Sequence, residues 1–270
     1  MEGNYLITVV IPSYNRPELL ERAVNSVLDQ TYSNIEIIIV DDASDTEVGL
    51  VFEKDEKVKL LRNNQNKGPC YSRNRGLKEA KGEFINFLDD DDILFPEKIE
   101  KQLSCFENSD DNFLGMVTCH SMDQRSGKEQ VKYNRIKGNI YKDLLGSFLV
   151  SGIETLLFRT EAVKEAGGFD EALESSHEYD LLIRISEFYT IDYVDEVLSK
   201  EYRSLNQISI NFSKKKQGAR YLYAKNSDRY RKIGFIFWLK MQIKLRLLLF
   251  RFYIGKVFGE KAYRLLIFRN

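Results

Sequence analysis

The chain is poor in the residues that build disulfide frameworks and soft-metal sites. Its three cysteines, Cys70, Cys105 and Cys119, are odd in number and share no metal-ligand spacing. That fits a reducing cytosol better than a disulfide framework. The two histidines, His120 and His177, lie far apart with no Cys or His at ligand spacing, which argues against zinc. No basic stretch followed by an apolar run opens the sequence, so no secretory leader is expected and the cytoplasm is the expected compartment. Gly-x-Ser-x-Gly and phosphate-loop glycine patterns are absent, and Gly167-Gly168 lacks the spacing of a dinucleotide fingerprint. There is no internal repeat and no low-complexity linker.

What is present is an ordinary globular composition over 270 residues, 43% hydrophobic and 30% charged. The net charge of -1 hides a strong asymmetry. Residues 213–270 carry 16 Lys and Arg against only Asp228 and Glu260, a balance of +14, which leaves -15 for residues 1–212. A split of that size marks two regions with different surroundings. Residues 1–212 read as one catalytic domain and 213–270 as a basic, amphipathic helical region, separable without loss of the catalytic unit.

Strand and helix alternate along the first region. Leu6 to Ile11 is a β-branched run that stops at Pro12, and Pro17 opens a helical pattern through Leu28. Ile35 to Val40 is a second strand, Val58 to Leu61 a weaker third, and Phe84 to Leu88 a fourth. Tyr71 to Lys81 suits a helix ended by Gly82, and Pro96 opens another. Further on, Gly115 to Cys119, Thr155 to Phe158 and Ile191 to Val194 read as short strands. Thr160 to Ala166 and Glu178 to Glu187 read as helices. The pattern is that of an open α/β sheet whose ligands bind outside the carboxyl ends of its strands.

The strongest chemical signal is the run Asp89 to Asp92 directly after a buried strand. Adjacent carboxylates repel one another, and a hard divalent cation relieves that repulsion. The alternative is a solvated acidic turn or helix N-terminus. Asp41-Asp42 ends another strand in the same way and alone does not discriminate a loop from a site. Glu178 and Asp180 lie two apart in a helical segment, so they point to different sides and at most one faces a site.

Taken together, these pieces resemble a family 2 glycosyltransferase of the GT-A fold, a Rossmann-like open mixed sheet flanked by helices. The resemblance rests on Thr8 to Arg16 (TVVIPSYNR), Val40 to Asp45 (VDDASD), Asn66 to Gly76 (NKGPCYSRNRG) and Gly82 to Asp92 (GEFINFLDDDD). Gly167 to Glu171 (GGFDE) followed by Glu178 to Leu181 (EYDL) adds the acceptor side, so roughly residues 5–205 are covered. It implies that Pro12, Tyr14 and Asn15 line a nucleotide pocket, that Asp42 bonds the base and that Arg73 lies near base or diphosphate. Asp89 and Asp91 match the family's Asp-x-Asp motif, with Asp91 as the direct ligand of Mn²⁺ or Mg²⁺ and Asp89 or Asp90 reaching the ribose or the metal shell. The base that takes the acceptor proton would be Glu178, with Asp180 as second choice, since His177-Glu178 stands where many relatives have Glu-Asp. The implied reaction is inverting transfer from a nucleotide-diphosphate sugar, UDP-linked, to a hydroxyl of a lipid-linked glycan in polysaccharide synthesis. Alternatives are a nucleotidyltransferase, which Pro12-Ser-Tyr-Asn does not suit because it is no glycine-rich basic loop, and a non-catalytic nucleotide-sugar-binding protein.

In the basic region, Lys240, Lys244, Arg246 and Arg251 interrupt a sequence rich in Phe, Leu and Ile. No uncharged run reaches the roughly 18–20 residues of a spanning helix. With Trp238 and its Phe residues the region reads as lying on the inner membrane surface. Packing on the catalytic domain or in a homodimer is the other reading. No nucleic-acid motif accompanies the charge.

Overall fold

A computed structural model describes residues 3–46, 48, 52, 54–125, 128–202 and 212–265. Strands β1 (Ile7–Ser13), β2 (Ile35–Asp41), β3 (Val58–Arg62) and β4 (Phe84–Phe87) run parallel in the order β3-β2-β1-β4. They are joined through helices α1 (Pro17–Leu28) and α2 (Pro69–Glu79). The sheet continues through β8 (Leu157–Arg159), β6 (Leu114–Arg125), β9 (Thr190–Tyr202) and β5 (Ile93–Leu94), with β7 (Lys128–Lys132) against β6. Pairing turns antiparallel at β4–β8, so the sheet is mixed.

The strand period of two divides the core. Val9, Ile11, Ile37 and Ile39 face α1 and α3 (Lys98–Glu107), while Val10, Ile38 and Val40 face the other layer with Leu77 of α2. Both faces of β1 and β2 are covered, which is why these strands read as continuous apolar runs.

Four expectations are corrected. Strand β1 passes through Pro12 to Ser13 instead of stopping, because β4 pairs only Ile7 to Val10 and Pro12 falls beyond that ladder. Gly82 is no helix cap: a Cβ there would stand 2.6 Å from the Thr8 backbone nitrogen, so the residue is small because the chain crosses β1 closely. Helix α3 starts at Lys98, not at Pro96. Strands β6 and β9 far exceed the five and four residues read from sequence, because their polar later halves pair with each other and carry no apolar signature.

Helices α4 (Tyr141–Gly146), α5 (Thr160–Glu165) and α6 (His177–Ile185) follow, and α7 (Phe212–Lys225), α8 (Ser227–Ile233) and α9 (Phe235–Leu265, broken at Gly259) form the basic region. Leu222, Tyr223, Tyr230 and Met241 belong to the same core as Val10, Ile38 and Phe87. Lys225 pairs with Asp170 and Asp180, and Arg229 with Glu187. The basic helices therefore pack on the catalytic domain along one side.

Candidate active site

A cleft of about 860 Å³ opens at the carboxyl ends of β1, β2 and β4. Its floor is the acidic run. The Asp92 amide donates to the Asp89 carbonyl at 3.1 Å, and this tight turn draws side chains of the run together. Carboxylate oxygens of Asp89, Asp91 and Asp92 lie within 4.8 Å of one another. Asp90 also lines the cleft but is held apart from that group, accepting from Ser13 Oγ at 2.8 Å and Arg16 Nη1 at 3.0 Å. Arg16 also lies 3.3 Å from Asp91. Burial pushes the Asp90 carboxyl up to about 6, with Arg16 opposing. Asp92 is raised by burial and by the nearby Glu154 carboxylate, while it accepts from the Tyr202 amide at 3.0 Å.

Arg73 joins this floor to the wall. Lying in α2 and fully buried, it pairs with Asp89 and stands 3.6 Å from Glu178 of α6. Burial would lower its affinity for the proton, but Asp89 and Glu178 outweigh that and raise it. Among the described residues its Nε and Nη1 have no hydrogen-bond partner, and its guanidinium stands 5.2 Å from the Phe169 ring centre. Glu178 lines the cleft and Asp180 does not. Asp180 is 1% exposed and bonds Arg184 at 2.7 Å and Lys225 at 2.9 Å, which makes it a structural anchor between α6 and α7. His177 also lines the cleft, its Nε2 donating to the Leu173 carbonyl at 3.0 Å, and burial holds its imidazole below the usual range.

At the other end, Pro12, Tyr14 and Asp42 line the cleft and Asn15 does not. Asn15 instead exchanges hydrogen bonds with Asp45 at 3.0 Å and 2.8 Å, clamping the β1 loop to the β2 loop. Asp42 accepts from Asn63 Nδ2 at 2.7 Å and from the Lys67 and Gly68 amides at 2.9 Å and 2.7 Å. Gly68 reaches this position with φ of 86°, a left-handed conformation that favours glycine. Among the described residues three non-glycines, Asn15, Ala43 and Ser176, also have positive φ, and each sits in or beside a loop bordering the cleft. Such strain persists where the surroundings fix a site's shape.

Asp92, the last of the acidic run, joins Asp89 and Asp91 in the floor, although the resemblance to the Asp-x-Asp motif names only those two. One contributor escapes a reading of the sequence. Glu154, on the 3₁₀ turn Ile153–Thr155, lines the cleft at 2% exposure, and its Oε1 has no hydrogen-bond partner among the described residues. Burial, then the Glu201 carboxylate, push it up to about 7. A Cβ on Gly152 would lie 2.1 Å from Glu154 Oε2, so the glycine leaves room for this carboxylate. No run of acids announces Glu154; a lone acid in an apolar segment is the only signal.

The donor set suits a hard divalent cation: oxygen only, from Asp89, Asp91 and Asp92, at a site where neighbouring carboxylates otherwise repel.

Comparison with known proteins agrees with this geometry. The sequence profile described as Glycosyl transferase family 2 matches residues 8–165. An uncharacterized glycosyltransferase of Rickettsia conorii is 34% identical over 199 residues, covering 72% of this chain and 32% of that protein. The Escherichia coli UDP-Glc:alpha-D-GlcNAc-diphosphoundecaprenol beta-1,3-glucosyltransferase WfgD is 35% identical over 143 residues, covering 50% of this chain and 56% of its own. The chain thus spans about a third of the first relative and just over half of the second. Among solved structures, a Pyrobaculum calidifontis mannosyltransferase in complex with GDP-Man and Mn²⁺ superposes with a TM-score of 0.65 at 19% identity, over 97% of this chain and 79% of that one. The fold is of the GT-A type.

Proposed function

The chain belongs to glycosyl transferase family 2, and from that premise we propose that it transfers a sugar, with inversion, from a UDP-linked donor to a hydroxyl of a lipid-linked glycan. The observation that carries this reading is the convergence on one cleft of a cation-binding acidic floor and a separate carboxylate, Glu178, held together by Arg73. The E. coli relative, whose name gives a UDP-glucose donor and a diphosphoundecaprenol-linked acceptor, supports the choice of donor and acceptor classes. Such an acceptor places the enzyme on the cytoplasmic face of the membrane, in polysaccharide synthesis.

In this reading Pro12, Tyr14 and Asp42 form the nucleotide end of the cleft. Asp89, Asp91 and Asp92 would hold Mn²⁺ or Mg²⁺, which supplies charge to offset the diphosphate leaving group. Glu178 takes the proton of the acceptor hydroxyl as that oxygen bonds the anomeric carbon and the bond to the diphosphate breaks. Arg73 fixes Glu178 relative to the acidic floor. Glu154 accepts a hydrogen bond from a sugar hydroxyl, the partner its Oε1 lacks among the described residues.

A panel of nucleotide sugars assayed with Mn²⁺ and with chelator tests the proposal. Hydrolysis or transfer of a UDP-sugar should require the cation and should vanish in a folded Asp91→Asn protein, since an amide is a poor substitute for a carboxylate ligand. Turnover that persists under chelation, or near-normal turnover in Asp91→Asn, refutes the metal assignment. Failure of every nucleotide sugar would favour a binding protein.

A further inference from the structure

Helix α9 is apolar on both sides. Its inner face is accounted for: Met241 and Phe252 are buried, Leu245 and Leu248 pack on the core, and Lys244 donates to the Gly146 carbonyl at 2.5 Å. Its outer face is not. Ile236, Leu239, Ile243, Leu247, Phe250 and Val257 are all exposed, Ile236 to 83%. At 100° per residue these six fall within an arc of about 80°, along a span of roughly 30 Å. Exposed Arg246 borders one edge of the arc and exposed Lys240 the other, with Arg251 just beyond. From Phe235 to Gly259 there is no acidic residue.

We propose that this outer face of α9 docks the enzyme on an anionic phospholipid surface, with the apolar arc at the headgroup boundary and Lys240, Arg246 and Arg251 against lipid phosphates. The composition of the face selects this occupant. A two-fold contact between copies would set unopposed cations against themselves. Nucleic acid would pair with the cations but leave the apolar arc in water. An anionic bilayer satisfies both features. No helix among the described residues is long and apolar enough to cross a membrane, so α9 lies along the surface.

The placement has a consequence for the site. Lys244, Leu248 and Phe252 of the same helix line the active-site cleft, as do Lys214, Leu222 and Tyr223 of α7. One helix is thus both the docking face and a wall of the cleft, which sets the acceptor end of the cleft beside the bilayer. The link to a lipid-borne acceptor rests on the proposed function; the docking itself does not.

Sedimentation of the full chain with vesicles tests the proposal. Vesicles of equal parts phosphatidylcholine and phosphatidylglycerol should bind it at least about tenfold more tightly than phosphatidylcholine alone, and binding should weaken as salt rises from about 0.05 to 0.5 M. Ile243→Asp/Leu247→Asp and Lys240→Glu/Arg246→Glu should each lower vesicle binding by about tenfold or more. Both pairs face solvent outside the cleft, so donor hydrolysis in the same samples should be unchanged. Equal binding to both vesicle types, no binding to anionic vesicles, or undiminished binding of both variants overturns the proposal. So does a salt-resistant dimer in light scattering that the apolar variant dissolves. Binding without hydrolysis would sink the enzymatic reading and leave the docking standing. Hydrolysis without binding would do the reverse.

Discussion

Of the carboxylates near the cleft, Glu178 and Asp180 show how two residues of one helical turn acquire different duties. Glu178 is open to the cleft beside Arg73, whereas Asp180 is enclosed by Arg184 and Lys225. Glu178→Gln should therefore keep donor binding and lose transfer by roughly 10²–10⁴-fold. Asp180→Asn should lower stability by about 1–3 kcal/mol with a smaller effect on turnover, because it weakens a buried charged contact. Steady-state kinetics with urea unfolding of both proteins separates these outcomes, and the reverse pattern would mean that the base is misassigned. Glu154 permits a pH test. Its folded value of about 7 lies above the ordinary 4.5, so the folded state holds the proton more tightly than the unfolded chain does. Stability from this group is full below about pH 4.5 and is lost as pH rises through 7. In metal-free protein, Glu154→Gln should become progressively more stable than the parent between pH 5 and 8, by about 1–3 kcal/mol at the upper end. A difference independent of pH would show that the carboxyl is not strained by burial. The acidic floor of the candidate site was legible because identical acids cluster at a strand end. Glu154 was not, because its position depends on a 3₁₀ segment that brings distant chain to the cleft.

At the scale of elements, strands buried on both faces were readable and half-polar ones were not. The β1 and β2 runs have no polar face to break them, whereas β6 and β9 place Asp123, Ser121 and Ser199 in the sheet's buried interior. Their pairing is set by tertiary contact, which no local periodicity carries. Helix α2 lies close against the sheet at Gly76. A Cβ at Gly76 of α2 would stand 2.3 Å from Val10 Cγ1 in the middle of β1. Branched Val10 lies at zero exposure in the core, so it has little freedom to retreat. Gly76→Ala should cost about 1–3 kcal/mol through overpacking, despite alanine's better helix propensity. Thermal or urea unfolding measures this directly, and an unchanged or raised stability would show that α2 can slide outward. Because α2 carries Arg73, the same substitution should also lower transfer more than donor affinity.

For the whole molecule, the charge split at residue 212 suggested two separable regions, and the packing joins them. Charge along a sequence reports which surface faces which surroundings; it does not report what lies beneath that surface. The basic helices direct Lys240, Arg246 and Lys256 outward, yet Leu222, Tyr230 and Met241 are 2%, 2% and 1% exposed in the shared core. Deleting residues from Phe212 onward would strip the cover from Leu173, Leu181 and Ile185, which share that core cluster with α7 and α8. It would also leave Asp180 without Lys225, a buried carboxylate deprived of one of its two cations. Burying several apolar side chains contributes about 1.5–3 kcal/mol each, so losing a handful approaches the roughly 5–15 kcal/mol that hold an ordinary domain. The shortened chain should accordingly aggregate or unfold at least 10 °C lower, on the order of what such a loss implies. It should also lack donor hydrolysis, because the cleft loses the wall formed by Lys214, Leu222, Tyr223, Leu248 and Phe252. Differential scanning calorimetry beside a hydrolysis assay decides this: a shortened chain that melts like the parent and hydrolyses donor at the parent rate would show that the basic helices are only an attachment.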